Sequence, residues 1–490
     1  MIKRLDVENL RSFRDPAKLR FSNITLIYGP NSAGKSTLLQ ALAVLKQTGD
    51  ATTRARVRGG ELGRLALQGE LVNLGSYRTA IHGHKEELNL RLGVVLAERS
   101  GSEQLYAGLE FEHDVAGARQ TAVEIGDPKQ RIRFKRNATK RGNEFRLAAT
   151  DRRALAEFLR KDIERGRLGD LREDEARTVA DALSSPSKSI MRFTATDLFP
   201  GAPAPGWFKD RPLVEYDFTT WWVNNVYADV TEAFERDISR LEYLGPIRVP
   251  PTRVQTRFPD ASSGVGLLGS RTAELLHDNP ALLERVNKWL FDLDIRYTLS
   301  IQEVRPAHAS GNANTKKKVV EIGDLFAIAL EDRGGTAVTP QDVGYGISQL
   351  LPIILQLLVN EDSVICIEQP EVHIHPRLQA HLGDLLIQSS DPAGKNRNQV
   401  IVETHSEQLA LRLQRRIRKI PGDESDYDWV TNTDVSLLYV GSDQKTGRAW
   451  YKQLDLDRRG SMIEGWPPGF FGERLEELRG GKRPDDSEMQ

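Results

Sequence analysis

The sequence is short of cysteine, of net charge and of long apolar runs, and each shortage excludes something. Cys366 is the single cysteine among 490 residues. A disulfide within the chain is therefore impossible, which fits a reducing compartment. Basic residues number 68 against 69 acidic ones. No global field draws such a chain to nucleic acid, so any contact of that kind must come from a local patch. The longest strongly apolar stretch, LLPIILQLLV at 350–359, is too short to span a bilayer. The opening MIKRLDVENLRSF carries no apolar signal core. The expectation is a cytoplasmic, mixed α/β protein without a membrane anchor, long enough for roughly three domain-sized units or one large core with insertions.

What the sequence does contain is a phosphate-binding pattern. NITLIYGPNSAGKSTLLQALAVL (23–45) reads as a buried strand, a glycine loop of the form G-x-x-x-x-G-K-[ST], and the start of an apolar-faced helix. Gly29 and Gly34 let the backbone pass close to phosphate oxygens, and the helix N-terminus presents its N–H groups to the anion. Lys35 is expected to reach the β- and γ-phosphates, and the Ser36 hydroxyl to ligate Mg²⁺. Asn31, Ser32 and Thr37 complete the expected ATP-binding set.

Three further stretches follow the same logic. In VTPQDVGYGISQLLPIILQLL (338–358), Gly346 lies in a glycine turn and Ser348 reads as the N-cap of an apolar helix. In DSVICIEQPEVHIHPRLQAHL (362–382), an apolar strand ends at Glu368, which is expected to hold Mg²⁺ through water. Gln369 and Glu371 follow it. An amide can orient water but cannot take its proton, so Gln369 is assigned to positioning and Glu371 to the base or its electrostatic equivalent, with slow turnover. The alternative is that Glu371 makes a structural loop contact and hydrolysis is negligible. His373, His375 and His381 lack the ligand set a zinc site needs. In NQVIVETHSEQLALRLQRRI (398–417), a strand is followed by His405 and a helix.

The middle of the chain carries no chemistry-bearing motif. LNLRLGVVLAE and EQLYAGLEFEHD alternate as strands. The run at 127–142 places Arg131, Arg133 and Lys135 on one face, either as a solvated charged edge strand or as a nucleic-acid phosphate contact. Residues 151–185 read as two charged helices with a glycine break. FPGAPAPGWF (199–208) reads as a loop, and Trp207, Phe208, Trp221 and Trp222 as packing rather than a base-stacking platform. YLGPIRVPPTRV (243–254) is a rigid loop with surface arginines Arg248 and Arg253, or an arginine pair aimed at a nucleotide or partner.

Together IKRLDVENLRSF, GPNSAGKS, GYGISQ and IEQPEVHIHP resemble ABC-type ATPases of the OLD, RecF and chromosome-maintenance branch. The segment from 435, ending at Trp466 to Phe471, resembles a short C-terminal domain found on a prokaryotic subgroup. The resemblance implies an α/β ABC-type head built from both ends of the chain with an α+β insertion in the middle. The implied division is an N-terminal lobe at 1–90, an insertion at 91–240, a C-terminal lobe at 241–434, a short domain at 435–475 and a disordered tail at 476–490. It further implies that Asn31 faces the γ-phosphate or the attacking water, that His405 senses the γ-phosphate, and that Ser348 meets ATP bound by a second copy. A homodimer or higher oligomer would then form through shared ATP. The work of such heads, in phage defence or DNA repair, would pass to a separate effector such as a nuclease. An ATP-gated scaffold with negligible hydrolysis is the alternative.

Overall fold

The computed structural model describes residues 1–58, 63–97, 104–136, 144–147, 152–164, 172–184, 192–195, 200–203, 228–250, 252–256, 264–304, 325–419, 427–467 and 471. They form two compact units: residues 1–21, 32–243 and 441–451, and residues 22–31, 244–440 and 452–490.

The first unit is built on an antiparallel sheet. From one edge its strands run Ala17–Arg20, Ile2–Glu8, Leu90–Ala97, Gln104–Asp114, Gly117–Gly126, Arg131–Arg136, Glu144–Leu147, Arg192–Ala195 and Pro200–Pro203. Along Ala17–Arg20 and Arg131–Arg136 the burial alternates residue by residue, as a sheet with one covered face requires. Helices Lys35–Arg58 and Ala228–Ser239 pack on each other. The two expected charged helices are Arg152–Glu164 and Glu173–Ser184, which pack together through Leu155, Ala156, Leu159, Ala176 and Ala180.

Two readings of the middle are corrected here. The basic strand Arg131–Arg136 is not an edge: Gly117–Gly126 pairs on one side and Glu144–Leu147 on the other, and Ile132 and Phe134 are fully buried. Pro200–Pro203, expected as loop, is a short strand paired with Arg192–Ala195. The Trp207, Phe208, Trp221 and Trp222 group lies outside the described residues.

The second unit carries a parallel sheet in which Val364–Glu368, Gln399–Glu403, Ile24–Tyr28 and Val435–Ser442 lie side by side in that order. All residues of the first three strands are buried. Continuous VICIE, QVIVE and ITLIY runs suit strands covered on both faces. An N-terminal strand is thus seated between strands from the last third of the chain. The protein is mixed α/β, as expected, and this parallel sheet joins segments from both ends of the chain. Helices Tyr345–Val359 and Pro376–Ser390 pack on each other, and Tyr345–Val359 also meets the Val364–Glu368 strand. Leu350, Leu351, Ile353, Ile354, Leu355 and Leu357 of the first helix are all at or below 1% exposure. Each such side chain contributes about 1.5–3 kcal/mol by leaving water. A smaller antiparallel sheet centres on Tyr297–Glu303 and Leu325–Asp332. Among the described residues, no helix is long and apolar enough to cross a membrane.

Candidate nucleotide site

The glycine loop begins where Ile24–Tyr28 ends. Gly29 has φ +144°, and a Cβ there would lie 1.9 Å from the Val440 carbonyl oxygen, so no other residue fits. Ser32 and Gly34 also have positive φ, at +62° and +109°. Such interleaved turns aim successive backbone N–H groups into one concavity, which is an anion-binding nest. Helix Lys35–Arg58 starts directly after it with no acidic residue in its first turn. The positive dipole end of the helix favours an anion at that place. Lys35 and Thr37 are 4% and 5% exposed, Ser36 is half-buried, and Asn31 and Ser32 are exposed. These donors fit a polyphosphate.

Tyr28 anchors the entry to the loop. Its hydroxyl donates to the Ser406 carbonyl at 3.0 Å, and burial pushes the phenol well above its usual range. Its ring meets Trp466 edge-on at 5.0 Å and Phe471 at 5.7 Å.

A second group of candidates gathers where the parallel strands end. Ligands of open α/β sheets bind at such carboxyl ends. Register pairs Glu368 with Glu403, and Glu403 with Ile27. Glu368 is 6% exposed. Gln369 stands at φ +42°, a left-handed conformation uncommon outside glycine, and its N–H donates to the Glu403 carbonyl at 2.7 Å. This turn directs the chain across the end of the neighbouring strand. There Glu371 accepts from the Thr404 hydroxyl at 2.7 Å and from the His405 backbone N–H at 2.6 Å. Both carboxylate oxygens are therefore engaged, each with a lone-pair site to spare. Glu371 and His405 lie together, as do Glu368 and Gln369.

The helix expected to start at Ser348 starts earlier, which is a correction. Gly344 is the N-cap and Tyr345 the first helical residue. Ser348 sits within the first turn at 1% exposure, and its hydroxyl donates to the Pro340 carbonyl at 3.2 Å. A buried hydroxyl with a backbone partner does not cap. The outward-facing part of the helix start is Gly344 and Tyr345, the latter 65% exposed, with Gly346 half-buried. Tyr345 lies 5.8 Å from the His373 ring, and a Cβ on Gly346 would come within 2.9 Å of the His373 carbonyl. The loop after Glu368 thus packs against the helix start.

Three residues of this neighbourhood escaped the sequence reading or were misplaced by it. Arg248, expected either on the surface or aimed at a nucleotide or partner, is 1% exposed, and its Nη2 donates to the Glu368 carbonyl at 2.8 Å. Arg253 does lie outside, paired with Asp342. Gln349 exchanges two hydrogen bonds with the Arg248 backbone. Thr404 could have been noticed as the hydroxyl between the strand and His405. In the basic strand, Arg131 is paired with Asp6 and Glu124 and stacks on Tyr106, while Arg133 is paired with Glu110 and Glu124. Their charge is largely spent within the sheet. His375 caps helix Pro376–Ser390, its Nδ1 accepting from the Arg377 N–H. Among the described residues, no group of three or more His, Cys, Asp or Glu forms a metal cage. Mg²⁺ needs none, since it binds through one or two protein ligands, phosphates and water.

Comparison with known proteins accords with this chemistry. A family model described as "AAA domain, putative AbiEii toxin, Type IV TA system" matches residues 126–412, and one described as "AAA ATPase domain" matches residues 1–105. No curated protein matches the chain. Among solved structures, the SMC head domain from Thermotoga maritima is similar at 11% identity and TM-score 0.38, covering 93% of this chain and 99% of that one. An SMC head bound to the C-terminal winged-helix domain of ScpA is similar at 10% identity and TM-score 0.40, covering 93% and 98%. An SMC head with extended coiled coil bound to the ScpA C-terminal domain, derived from Pyrococcus furiosus, gives 10% and 0.38, covering 98% and 99%.

Proposed function

Because this chain belongs to the AAA-domain family whose model it matches over residues 126–412, we propose that it is a slowly hydrolysing ATPase that two copies operate jointly. The observation that carries the ATP reading is the Gly29–Ser36 loop, with positive φ at Gly29, Ser32 and Gly34 immediately before a helix start free of acidic residues. Gly29, Asn31, Ser32, Gly34 and Thr37 enclose the phosphates, Lys35 binds the β- and γ-phosphates, and Ser36 with Glu368 holds Mg²⁺. When bound, Mg²⁺ neutralises phosphate charge and orients the terminal phosphoryl group. Gln369 orients water through its amide. Glu371, held by Thr404 and His405, is the group that can accept a proton. His405 reports the terminal phosphate to the strand end. The start of the Tyr345–Val359 helix, with Gly346 and Ser348, meets the nucleotide of the second copy. Its exposed N-terminus supports that reading.

The family description names a toxin of a type IV toxin–antitoxin system. That accords with a role exercised through a second protein. We place that role in a DNA-linked process, phage defence or DNA repair, on the resemblance of the motifs. A second reading, an ATP-gated scaffold, is favoured by one observation: both Glu371 oxygens already accept hydrogen bonds, and Gln369 is neutral. ATP turnover with and without DNA separates the two, since stimulation by DNA is incompatible with a scaffold that does not hydrolyse. Lys35→Ala tests the premise of both. Removing the charge-assisted contact should weaken ATP binding at least tenfold; unchanged binding would refute the loop assignment.

A further inference from the structure

Arg248 is a buried cation with most of its donors unspent. At 1% exposure its Nη2 bonds the Glu368 carbonyl, while Nε and Nη1 have no hydrogen-bond partner. A guanidinium carries five N–H donors in a rigid fork, and burying it with so few partners is costly. Burial lowers its pKa to about 10, against the opposing attraction of Glu371 first and Glu368 second. A residue retained there only to fill space would be better replaced by an apolar one of similar volume.

The backbone at Arg248 gives the other half of the argument. Its N–H donates to Gln349 Oε1 at 3.3 Å, and its carbonyl accepts from Gln349 Nε2 at 2.9 Å. Gln349 follows Ser348 in the first turns of the Tyr345–Val359 helix and is 3% exposed. One residue therefore joins the start of that helix to the backbone from which the Glu368 carboxylate projects.

We propose that Arg248 is a positioning residue that sets the Glu368 carboxylate according to the position of the Tyr345–Val359 helix, and so couples that helix to Mg²⁺-dependent ATP binding. Displacement of the helix start shifts Gln349, the Arg248 backbone follows, and the Nη2 bond carries the movement to Glu368. Nε and Nη1 are available to the carboxylates of Glu368 and Glu371 as they move. The inference rests on the proposed function, since it assumes that Glu368 serves the nucleotide's metal.

The test measures ATP affinity with Mg²⁺ and with EDTA, using a fluorescent ATP analogue and the whole chain. In wild type, Mg²⁺ tightens binding. Arg248→Met keeps the volume and removes the donors; it should lower the Mg²⁺/EDTA affinity ratio at least fivefold while leaving affinity in EDTA within about twofold. Arg248→Lys, which returns the charge without the fork, should recover part of the ratio. Gln349→Leu leaves Arg248 in place and should lower the ratio in the same direction, which covers the case that Arg248→Met does not fold. A folded Arg248→Met or Gln349→Leu with the wild-type ratio overturns the inference alone, provided Lys35→Ala still weakens binding at least tenfold. If Lys35→Ala binds like wild type, or wild type shows no Mg²⁺ effect, the proposed function fails and the inference with it.

Discussion

At the scale of single residues, the proposed chemistry turns on Gln369 and Glu371. Gln369 occupies a left-handed position and Glu371 takes two hydrogen bonds from the end of the adjacent strand. Those bonds fix a carboxylate's direction without exhausting its lone pairs. Glu371→Gln should therefore abolish turnover, by about 10²–10⁴-fold if Glu371 is the base, with ATP binding retained and the two-copy state accumulating. Wild-type turnover in that variant would assign the proton to another group. Gln369→Glu should raise turnover if the new carboxylate reaches the water. The backbone strain at this position is already borne by the native residue, so the exchange should cost little stability. A malachite-green assay of released phosphate reads both variants.

Two predictions belong to the scale of elements. Gly29 joins a strand to the phosphate loop at φ +144°, with the Val440 carbonyl where a side chain would be. Gly29→Ala meets both backbone strain, costing about 1–3 kcal/mol, and a backbone clash that no side-chain movement relieves. Gly447, at φ +66° with nothing within 4 Å, is the control, since there only the strain applies. Urea unfolding should show a clearly larger loss of midpoint for Gly29→Ala than for Gly447→Ala. Cys366 lies in the middle of Val364–Glu368 at 0% exposure, and burial pushes its thiol well above the usual range. A protonated, inaccessible thiol does not react. Native protein should resist Ellman's reagent and react once unfolded; rapid native labelling would mean that this strand opens readily.

For the whole molecule, the prediction concerns association of two copies. Ser348 is buried, so a substitution there reports on packing as much as on a seam. Tyr345, 65% exposed at the same helix start, separates the two. Tyr345→Glu puts a negative charge where the positive end of the helix is proposed to meet a triphosphate. Sedimentation velocity with ATP and Mg²⁺ on the Glu371→Gln background should show fewer dimers for Tyr345→Glu, with the melting temperature little changed, as for most exposed sites. Equal dimer fractions would remove this helix start from the interface. The 68 basic and 69 acidic residues nearly balance, and among the described residues Arg131 and Arg133 of the basic strand are already paired inside their sheet.

The sequence by itself determined whatever is local. The phosphate loop is a contiguous stretch whose glycine spacing, preceding apolar strand and following helix are written side by side, and the strands ending at Glu368 and Glu403 are legible from their unbroken apolar runs. The charged helices at 152–164 and 173–184 are legible for the same reason, since period and a glycine break are short-range signals. Tertiary structure decided what depends on register between distant segments. That Glu371 is held by Thr404 and His405 follows from the parallel pairing of 364–368 with 399–403. The basic strand became interior because two neighbours pair with it, and Ser348, inside a helix that Gly344 caps, gives its hydroxyl to the Pro340 carbonyl. Arg248 is buried with its guanidinium on the carbonyl of Glu368, 120 positions later. A side chain's burial and partners depend on which distant backbone arrives beside it, and periodicity along one segment carries no record of that arrival.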